Sequence, residues 1–239
     1  MQKIRNYSNY TEFKELDESN ILRYVFEPLA SNMYMIIEDN EALIIDPNVS
    51  EEALFLLDKE KMSFVTILLT HEDFDHTSGV NWYRDKFKSK LICQRLCAET
   101  IAVTKNNRPL LIAKVMTDRD KTNGSNDAKH FLIDYKPYFC LADKIFENEL
   151  EYMWKGHILK FTSTPGHSPG SSCILLDDRF LFTGDSLMKD IPVITRFPGG
   201  SKEDYENITK PYLCEVSDDV WILPGHGERF LKKAPSYLL

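Results

Sequence analysis

Residues 70–76 read THEDFDH and directly follow the apolar run FVTILL at 64–69. The segment places imidazoles and carboxylates within a few positions of one another at the end of a predicted strand. Side chains of this kind that converge on one point repel one another or lose hydration without compensation, unless a cation holds them together. Imidazole with carboxylate is the donor set of Zn²⁺ or Fe²⁺, whereas oxygen ligands alone would indicate Mg²⁺ or Ca²⁺. We therefore interpret the segment as half of a metal site.

Three further segments have a related form, in which an apolar run ends in small or rigid residues and then a potential ligand. They read TSTPGH at 162–167, FLFTGD at 180–185 and VWILPGHG at 220–227. Glycine and proline suit the sharp turn that aims a side chain off the end of a strand. Of the six histidines in the chain, four lie at such positions: His71, His76, His167 and His226. These segments are predicted to complete the metal site.

Together the four segments resemble the signatures of the metallo-β-lactamase superfamily, in the branch that includes glyoxalase II-like hydrolases. The resemblance rests on HxDxDH at 71–76, TPGHSPGS at 164–171, FTGDS at 182–186 and PGHG at 224–227. The segment RFPGGS at 196–201 also resembles a stretch that many members of that branch carry. The resemblance implies an α/β fold, a four-layer αβ/βα sandwich in a single domain over residues 1–239, with the metals at one edge between the sheets.

The resemblance also implies which residues bind metal. The first site would comprise His71, Asp73 and His167, and the second Asp75, His76 and His226, with Asp185 bridging two ions. A hydroxide held between the metals would attack an electrophilic carbonyl or phosphorus. Asp75 would be the catalytic residue that orients the hydroxide and passes a proton to the leaving group.

Asp73 departs from the pattern of the family, which usually has His-x-His-x-Asp-His with histidine at this place. A carboxylate there is similar to the flavodiiron branch, which has glutamate and binds iron. The added negative charge should make the metal a weaker Lewis acid and favour harder ions. We expect two divalent metal ions, zinc first, with iron or manganese as alternatives. The neighbouring Glu72 is a candidate partner for a ligating histidine, but an exposed loop carboxylate is the preferred interpretation.

Apolar patterning predicts two α/β halves. Strands are predicted at 33–38, 42–46, 91–93, 144–146, 157–161, 172–176 and 180–182, and helices at 51–61, 79–87 and 96–103. Ser201 is predicted to cap a further helix with acidic residues in its first turn. Pro211 is predicted to end or kink that helix near Lys210.

Residues 105–138 fit this plan poorly and are predicted to be an inserted lid or loop, with the turn-rich stretch TNGSND at 122–127. Substrate contacts are expected from Tyr138 in this segment, and from Arg196 and Phe197, where the family pattern approaches the site. The other polar and aromatic candidates in the segment are favoured as surface or packing residues: Arg108, Arg119, His130 and Tyr135. His157, at a strand start, is expected to be structural.

Composition agrees with a compact enzyme of 239 residues and 27.8 kDa. The formal net charge of −8 argues against a polyanionic nucleic acid, because two divalent ions would bring it only to −4 (−8 + 4). No apolar run approaches the ~20 residues of a membrane span, and residues 1–8 lack a signal-peptide core. Five cysteines without zinc-type pairing indicate reduced thiols. We expect a cytoplasmic protein with a small-molecule substrate and neither nucleic-acid nor membrane partners; the oligomeric state is left open.

Three hypotheses remain for the activity. The first is a metal-dependent hydrolase of a small ester, thioester, lactone or related substrate, because the glyoxalase-type signatures dominate. The second is an iron-dependent oxidoreductase with flavodiiron-like or persulfide dioxygenase-like chemistry, suggested by Asp73. The third is a non-catalytic metal-binding module.

Overall fold

The structure is a computed structural model that describes residues 8–12, 21–107 and 110–233. Residues 1–7 of the opening segment, for which no signal-peptide core is predicted, and Arg108 lie outside the described residues. Within the described ranges, none of the helices has the length and apolar character needed to cross a bilayer. All five cysteines lie in these ranges, four of them buried and Cys214 exposed.

The first sheet contains seven strands in chain order. They are β1 (Ser8–Glu12), β2 (Leu22–Phe26), β3 (Ser31–Glu38), β4 (Glu41–Ile45), β5 (Phe64–Leu68), β6 (Lys88–Gln94) and β7 (Lys144–Phe146). The first four strands pair antiparallel, and β4 to β7 pair parallel. Between the parallel strands lie α1 (Glu51–Lys59), α2 (Phe74–Thr77), α3 (Val80–Arg84), α4 (Arg95–Ile101), α5 (Leu110–Asn123) and α6 (Asp127–Asp134).

The second sheet contains six strands in the order β13-β12-β11-β10-β9-β8. They are β8 (Glu149–Trp154), β9 (His157–Ser163), β10 (Ser172–Leu176), β11 (Phe180–Gly184), β12 (Trp221–Pro224) and β13 (Phe230–Leu231). Only β11 and β12 pair parallel, and their connection contains α7 (Lys202–Asp204), a π-helical segment (Tyr205–Thr209) and α8 (Lys210–Glu215).

The two sheets pack face to face because alternate residues of their strands are apolar on both sides. On β3, Tyr34 and Ile36 point between the sheets, whereas Met33 and Met35 face α1, α3 and α4. The ring of Tyr34 meets Phe182 of the second sheet edge-on, with centroids 5.3 Å apart. The other face of the second sheet is covered by α8 and the π-helical segment. The predicted four-layer αβ/βα sandwich is confirmed; the single-domain boundary of 1–239 remains a prediction.

The helix after Ser201 does not end near Lys210, so that part of the prediction for Pro211 is wrong, and the alternative of a kink there stays a prediction. The cap is present, since Ser201 Oγ accepts a hydrogen bond from the Asp204 amide at 3.1 Å. The helical stretch nevertheless continues through Pro211 to Glu215. Proline lies in the first turn of α8, directly after the π-helical segment, where the wider winding and the missing N–H are tolerated.

Residues 110–134 form the helices α5 and α6, so the expectation of a loop without regular structure is wrong for this part of the insertion. Ala128 and Phe131 of α6 are buried together with Ala113 and Met116 of α5. Their partner in the body of the protein includes Phe26 at the end of β2. Packing against this apolar surface orders the two helices, and a lid function for the segment stays a prediction.

His157 joins the two sheets through ion pairs. Its Nε2 lies 3.0 Å from Glu38 of the first sheet, and its Nδ1 faces Asp177 in the β10–β11 turn. Burial opposes the charged imidazole, but the two carboxylates raise the pKa of His157 above its ordinary value. The sequence expectation of a structural role fits this placement.

We expect His157→Gln to lower the free energy of unfolding by up to about 1 kcal/mol at pH 6 and by less at pH 9, since the side chain is partly exposed. A raised folded pKa contributes stability below the unfolded value of about 6.5, and that contribution disappears as the pH rises through the folded pKa. Urea denaturation at both pH values measures the difference. Lys160→Gln is the control, because the Lys160–Asp178 pair stays charged at both pH values; a pH-independent loss in His157→Gln would contradict the assignment.

Candidate metal centre

The ends of strands from both sheets meet at one edge of the sandwich. His71 follows β5, Asp185 follows β11 and His226 follows β12, as the strand-end pattern predicts. Backbone hydrogen bonds join the sheets at this point. The Asn32 amide donates to the Gly225 carbonyl at 2.7 Å, and the Ser172 amide donates to the Thr70 carbonyl at 2.7 Å. The two sheets therefore hold the side chains of this edge in a common position.

One group of donors comprises His71, His167 and Asp185, with Asp73 beside them. His167 Nε2 lies 3.2 Å from Asp73 Oδ2 and 3.6 Å from Asp185 Oδ2. His71 Nε2 lies 3.7 Å from the same Asp73 oxygen. The side chain of Asp73 is 46% exposed, so this half of the centre opens to solvent at the aspartate.

A second group comprises Asp75, His76 and His226. The Nε2 atoms of both histidines lie 3.5 Å from Asp75 Oδ2. Asp185 contributes to this group as well, with Oδ1 3.6 Å from His76 and Oδ2 3.4 Å from His226. Asp185 thus lies between the two groups, and all seven predicted ligands are brought together.

The donor atoms fit divalent metal ions. Four buried atoms in the centre have no hydrogen-bond partner among the residues that the structure describes: His71 Nε2, His76 Nε2, Asp75 Oδ2 and Asp185 Oδ1. Each unsatisfied buried group costs about 1–3 kcal/mol, so four at one place require a shared partner. Ligand atoms at about 2.1 Å from a tetrahedral ion lie roughly 3.4 Å apart, and the separations of 3.4–3.6 Å around Asp185 match this spacing.

All four histidines present Nε2 to the centre and use Nδ1 to contact the surrounding protein. Such partners fix the ring orientation and the tautomer of a ligating histidine. The contacts are His71 to Thr70 Oγ1 at 3.0 Å, His76 to Asp46 Oδ2 at 3.0 Å, His167 to the Ile194 carbonyl at 2.9 Å and His226 to the Leu29 carbonyl at 3.0 Å.

Asp46 is a functional residue that the sequence analysis missed. It is 3% exposed, follows β4 and accepts hydrogen bonds from the Thr70 amide at 2.7 Å and the Thr70 hydroxyl at 2.6 Å. Since Oδ2 also faces His76 Nδ1, the carboxylate of Asp46 holds a predicted ligand in position and is not itself one of the seven predicted ligands. The sequence pattern that could have identified Asp46 is its place at the end of an apolar strand, which it shares with other residues of the centre. The sequence analysis predicts the strand at 42–46 but no role for its last residue.

The electrostatics of the centre favour a positive charge. Burial, together with neighbouring histidines, lowers the pKa of His71 to about 4. Burial also opposes protonation of His76, but Asp75 and Asp46 raise its pKa to about 10. Despite burial, the surrounding histidines hold the pKa of Asp185 well below its usual range. Because ligating histidines are neutral, a bound cation would replace protons here.

Two glycines before the ligands allow the strand ends to approach closely. Gly184 has a φ of +49°, and a Cβ at this position would lie 2.4 Å from Thr70 Oγ1. A Cβ on Gly225 would lie 2.3 Å from Asp185 Oδ1. Only glycine fits at both places, which explains the residue type before Asp185 and His226.

Glu72 is buried, so the interpretation of this residue as an exposed loop carboxylate is wrong. It is 9% exposed, and its Oε1 accepts a hydrogen bond from the Gly170 amide at 3.3 Å. Burial raises the pKa of its carboxyl. The contact joins the first ligand segment to the loop that carries His167.

The predicted substrate contacts occupy different places. Phe197 is 43% exposed, and its ring lies edge-on to His167 with centroids 6.3 Å apart. It therefore forms part of the rim of the metal centre, by which we mean the exposed residues beside the ligands. Arg196 is exposed beside it. Tyr138 instead packs on Phe74, and its hydroxyl bonds Thr77 Oγ1 at 2.7 Å, behind the ligand segment. A role in substrate binding stays a prediction for all three.

We expect Asp46→Asn to weaken metal binding about 10- to 100-fold, the usual effect of losing a partner of a ligating histidine. The amide keeps the shape of the side chain but removes the charge that orients His76. Titration of chelator-treated protein with Zn²⁺ in competition with a chromophoric chelator measures the change. Asp177→Asn is the matched control, since Asp177 also has a positive φ, accepts a backbone amide and faces a histidine, away from the centre; equal losses in both variants would contradict the role.

The comparisons with known proteins agree with this geometry. A family model described as metallo-beta-lactamase superfamily matches residues 26–226. The chain is 28% identical over 202 residues to the probable metallo-hydrolase YqgX of Bacillus subtilis, covering 84% of this chain and 86% of that protein. It is 24% identical over 193 residues to the hydroxyacylglutathione hydrolase GloC of Haemophilus influenzae, covering 80% and 82%.

Solved structures with a similar fold include a B3 metallo-beta-lactamase, BLEG-1. It has a TM-score of 0.63 and 23% identity, with 93% of both chains covered. The protein TTHA1623, solved in a di-iron-bound form, has a TM-score of 0.59 and 21% identity, covering 85% of this chain and 91% of that one.

Proposed function

Because the chain belongs to the metallo-beta-lactamase superfamily and is similar to proteins named as metallo-hydrolases, we propose that it hydrolyses a small ester, thioester or lactone with two divalent metal ions. The observation that supports this most directly is the position of Asp185. Its two oxygens lie 3.4–3.6 Å from histidines of both donor groups. A carboxylate so placed would be the residue that holds ions of both donor groups.

The residues divide the chemistry between them. Ions bound there supply a Lewis acid for the substrate carbonyl and an activated water at neutral pH. Asp75, whose Oδ2 is buried in the second donor group, would orient the attacking water and would carry a proton to the leaving group. Phe197 at the rim offers apolar surface to the acyl portion of the substrate.

A thioester is the first substrate class to test. The similarity to the hydroxyacylglutathione hydrolase GloC extends over most of both chains, which supports this class. The net charge of −8 is consistent with a small molecule instead of a nucleic acid. Zinc is the first metal that we propose. We also propose a cytoplasmic location, because the five cysteines are expected to be reduced thiols.

The iron oxidoreductase is the second candidate, and Asp73 supports it. The carboxylate lies 3.2 Å from His167 Nε2 and 3.7 Å from His71 Nε2, so it adds an oxygen donor to the first group. More carboxylate donors favour harder ions over zinc. A similar fold also occurs in a di-iron-bound form.

We expect untagged protein purified without chelators to carry close to two zinc ions per chain and to hydrolyse activated thioesters, esters or lactones. Asp185→Asn should lose at least one ion and the activity, because the neutral amide cannot join two cations. Elemental analysis for zinc, iron and manganese, followed by a substrate panel, provides the measurement. Asp178→Asn, at an exposed turn, is the control. Two irons without hydrolysis would favour the oxidoreductase, and a chain without metal or turnover would contradict both.

We expect Asp73→His to shift metal preference toward zinc, with a Zn²⁺ to Mn²⁺ affinity ratio at least about tenfold above that of the unchanged protein. The imidazole removes a negative charge and an oxygen donor from the first group. Competition titrations with both ions measure the ratio, and ester hydrolysis should persist or rise. An unchanged ratio would show that Asp73 does not bind metal, and abolished native activity would favour the iron chemistry.

A further inference from the structure

The helices α5 and α6 pack against the segments that carry the second donor group. Their buried residues form one apolar cluster with Phe26 and Phe74 of the protein body. Phe26 ends β2, and Phe74 begins α2. Neither residue is a ligand, but each lies on a segment from which a ligand is held.

The first contact acts on Asp75. Phe74 lies directly before it and is 9% exposed. Its ring meets Phe131 of α6 at 5.8 Å and Tyr135, just after α6, at 5.6 Å between centroids. These rings cover Phe74, so the insertion contacts the residue directly before the carboxylate of Asp75.

The second contact acts on His226. The chain turns after β2, where the Ala30 amide donates to the Phe26 carbonyl at 2.8 Å. Arg119 of α5 donates from Nη2 to the Pro28 carbonyl in this turn at 3.0 Å. The next carbonyl, Leu29, faces His226 Nδ1 at 3.0 Å. The Arg119 contact is thus one residue from the group that orients His226.

The two histidines of the first donor group are supported by other segments, although Asp73 of that group directly precedes Phe74. His71 Nδ1 contacts the hydroxyl of Thr70, and His167 Nδ1 contacts the Ile194 carbonyl. Asp185 follows β11 in the middle of the second sheet. These supports lie in the body of the sandwich, away from α5 and α6.

We infer that α5 and α6 position the ligands of the second metal site, and that Arg119 and Phe131 make the contacts through which they do so. The inference rests on the binuclear centre of the proposed function. Loosening these contacts releases Asp75 and His226 but leaves His71 and His167 held. Occupancy of the second ion therefore depends on the insertion more strongly than occupancy of the first, for which only Asp73 adjoins the contact at Phe74.

Two variants test the inference by titration of chelator-treated protein with Co²⁺, followed by visible absorption, and with Zn²⁺ against a chromophoric chelator. Arg119→Met removes the donor at an exposed position, and Phe131→Leu reduces the aromatic contact. We expect the second binding constant to weaken about tenfold or more and the first to stay within about twofold. Arg119→Lys keeps a donor and should restore much of the second constant.

Matched controls separate positioning from general destabilisation. Arg95→Met removes an exposed arginine that pairs with Glu99 and Glu147, and Phe161→Leu alters the core between the sheets. Neither should change the ratio of the two constants. Equal weakening of both constants, or unchanged constants in both test variants, would overturn the inference while the binuclear centre stands. Unchanged protein that binds fewer than two ions would overturn the binuclear proposal and this inference with it.

Discussion

The structure depends on a group of imidazoles and carboxylates that cannot satisfy one another. Four buried atoms at the junction of the two sheets have no hydrogen-bond partner within the described part of the chain. Elsewhere such atoms would destabilise a fold by about 1–3 kcal/mol each. Here His76 Nε2 lies 3.5 Å from Asp75 Oδ2 and 3.6 Å from Asp185 Oδ1, a spacing that suits shared cations. The sandwich therefore supplies a rigid frame whose unsatisfied edge is the functional part.

Rigidity at this edge comes from the residues around the ligands. Asp46 uses both carboxylate oxygens to hold Thr70 and His76, and so links the ends of β4 and β5. Glu72 joins the first ligand segment to the loop of His167. The insertion adds a further support through its aromatic cluster. A ligand set held from several directions loses little entropy on binding metal, which favours a preorganised centre.

Asp73 is the residue at which the predicted ligand set departs from the His-x-His-x-Asp-His pattern of the family. Its carboxylate is 46% exposed and lies within reach of two ligating histidines. It therefore adds negative charge where the centre meets solvent and substrate. The balance between zinc hydrolysis and iron chemistry in the proposed function depends on this one side chain, because charge at the ligand set controls Lewis acidity and metal preference.

The sequence by itself indicated a metal site, because apolar runs that end in His and Asp are local patterns, and the resemblance carried by those motifs implied the sandwich and the set of seven ligands. It did not reveal the role of Asp46 or the burial of Glu72, since both depend on contacts with distant segments such as the Gly170 loop. The helical insertion was also missed: α5 and α6 are ordered by packing on Phe26 and Phe74. Local patterns specify turns and strand ends, whereas burial and partner choice are decided only when remote segments meet.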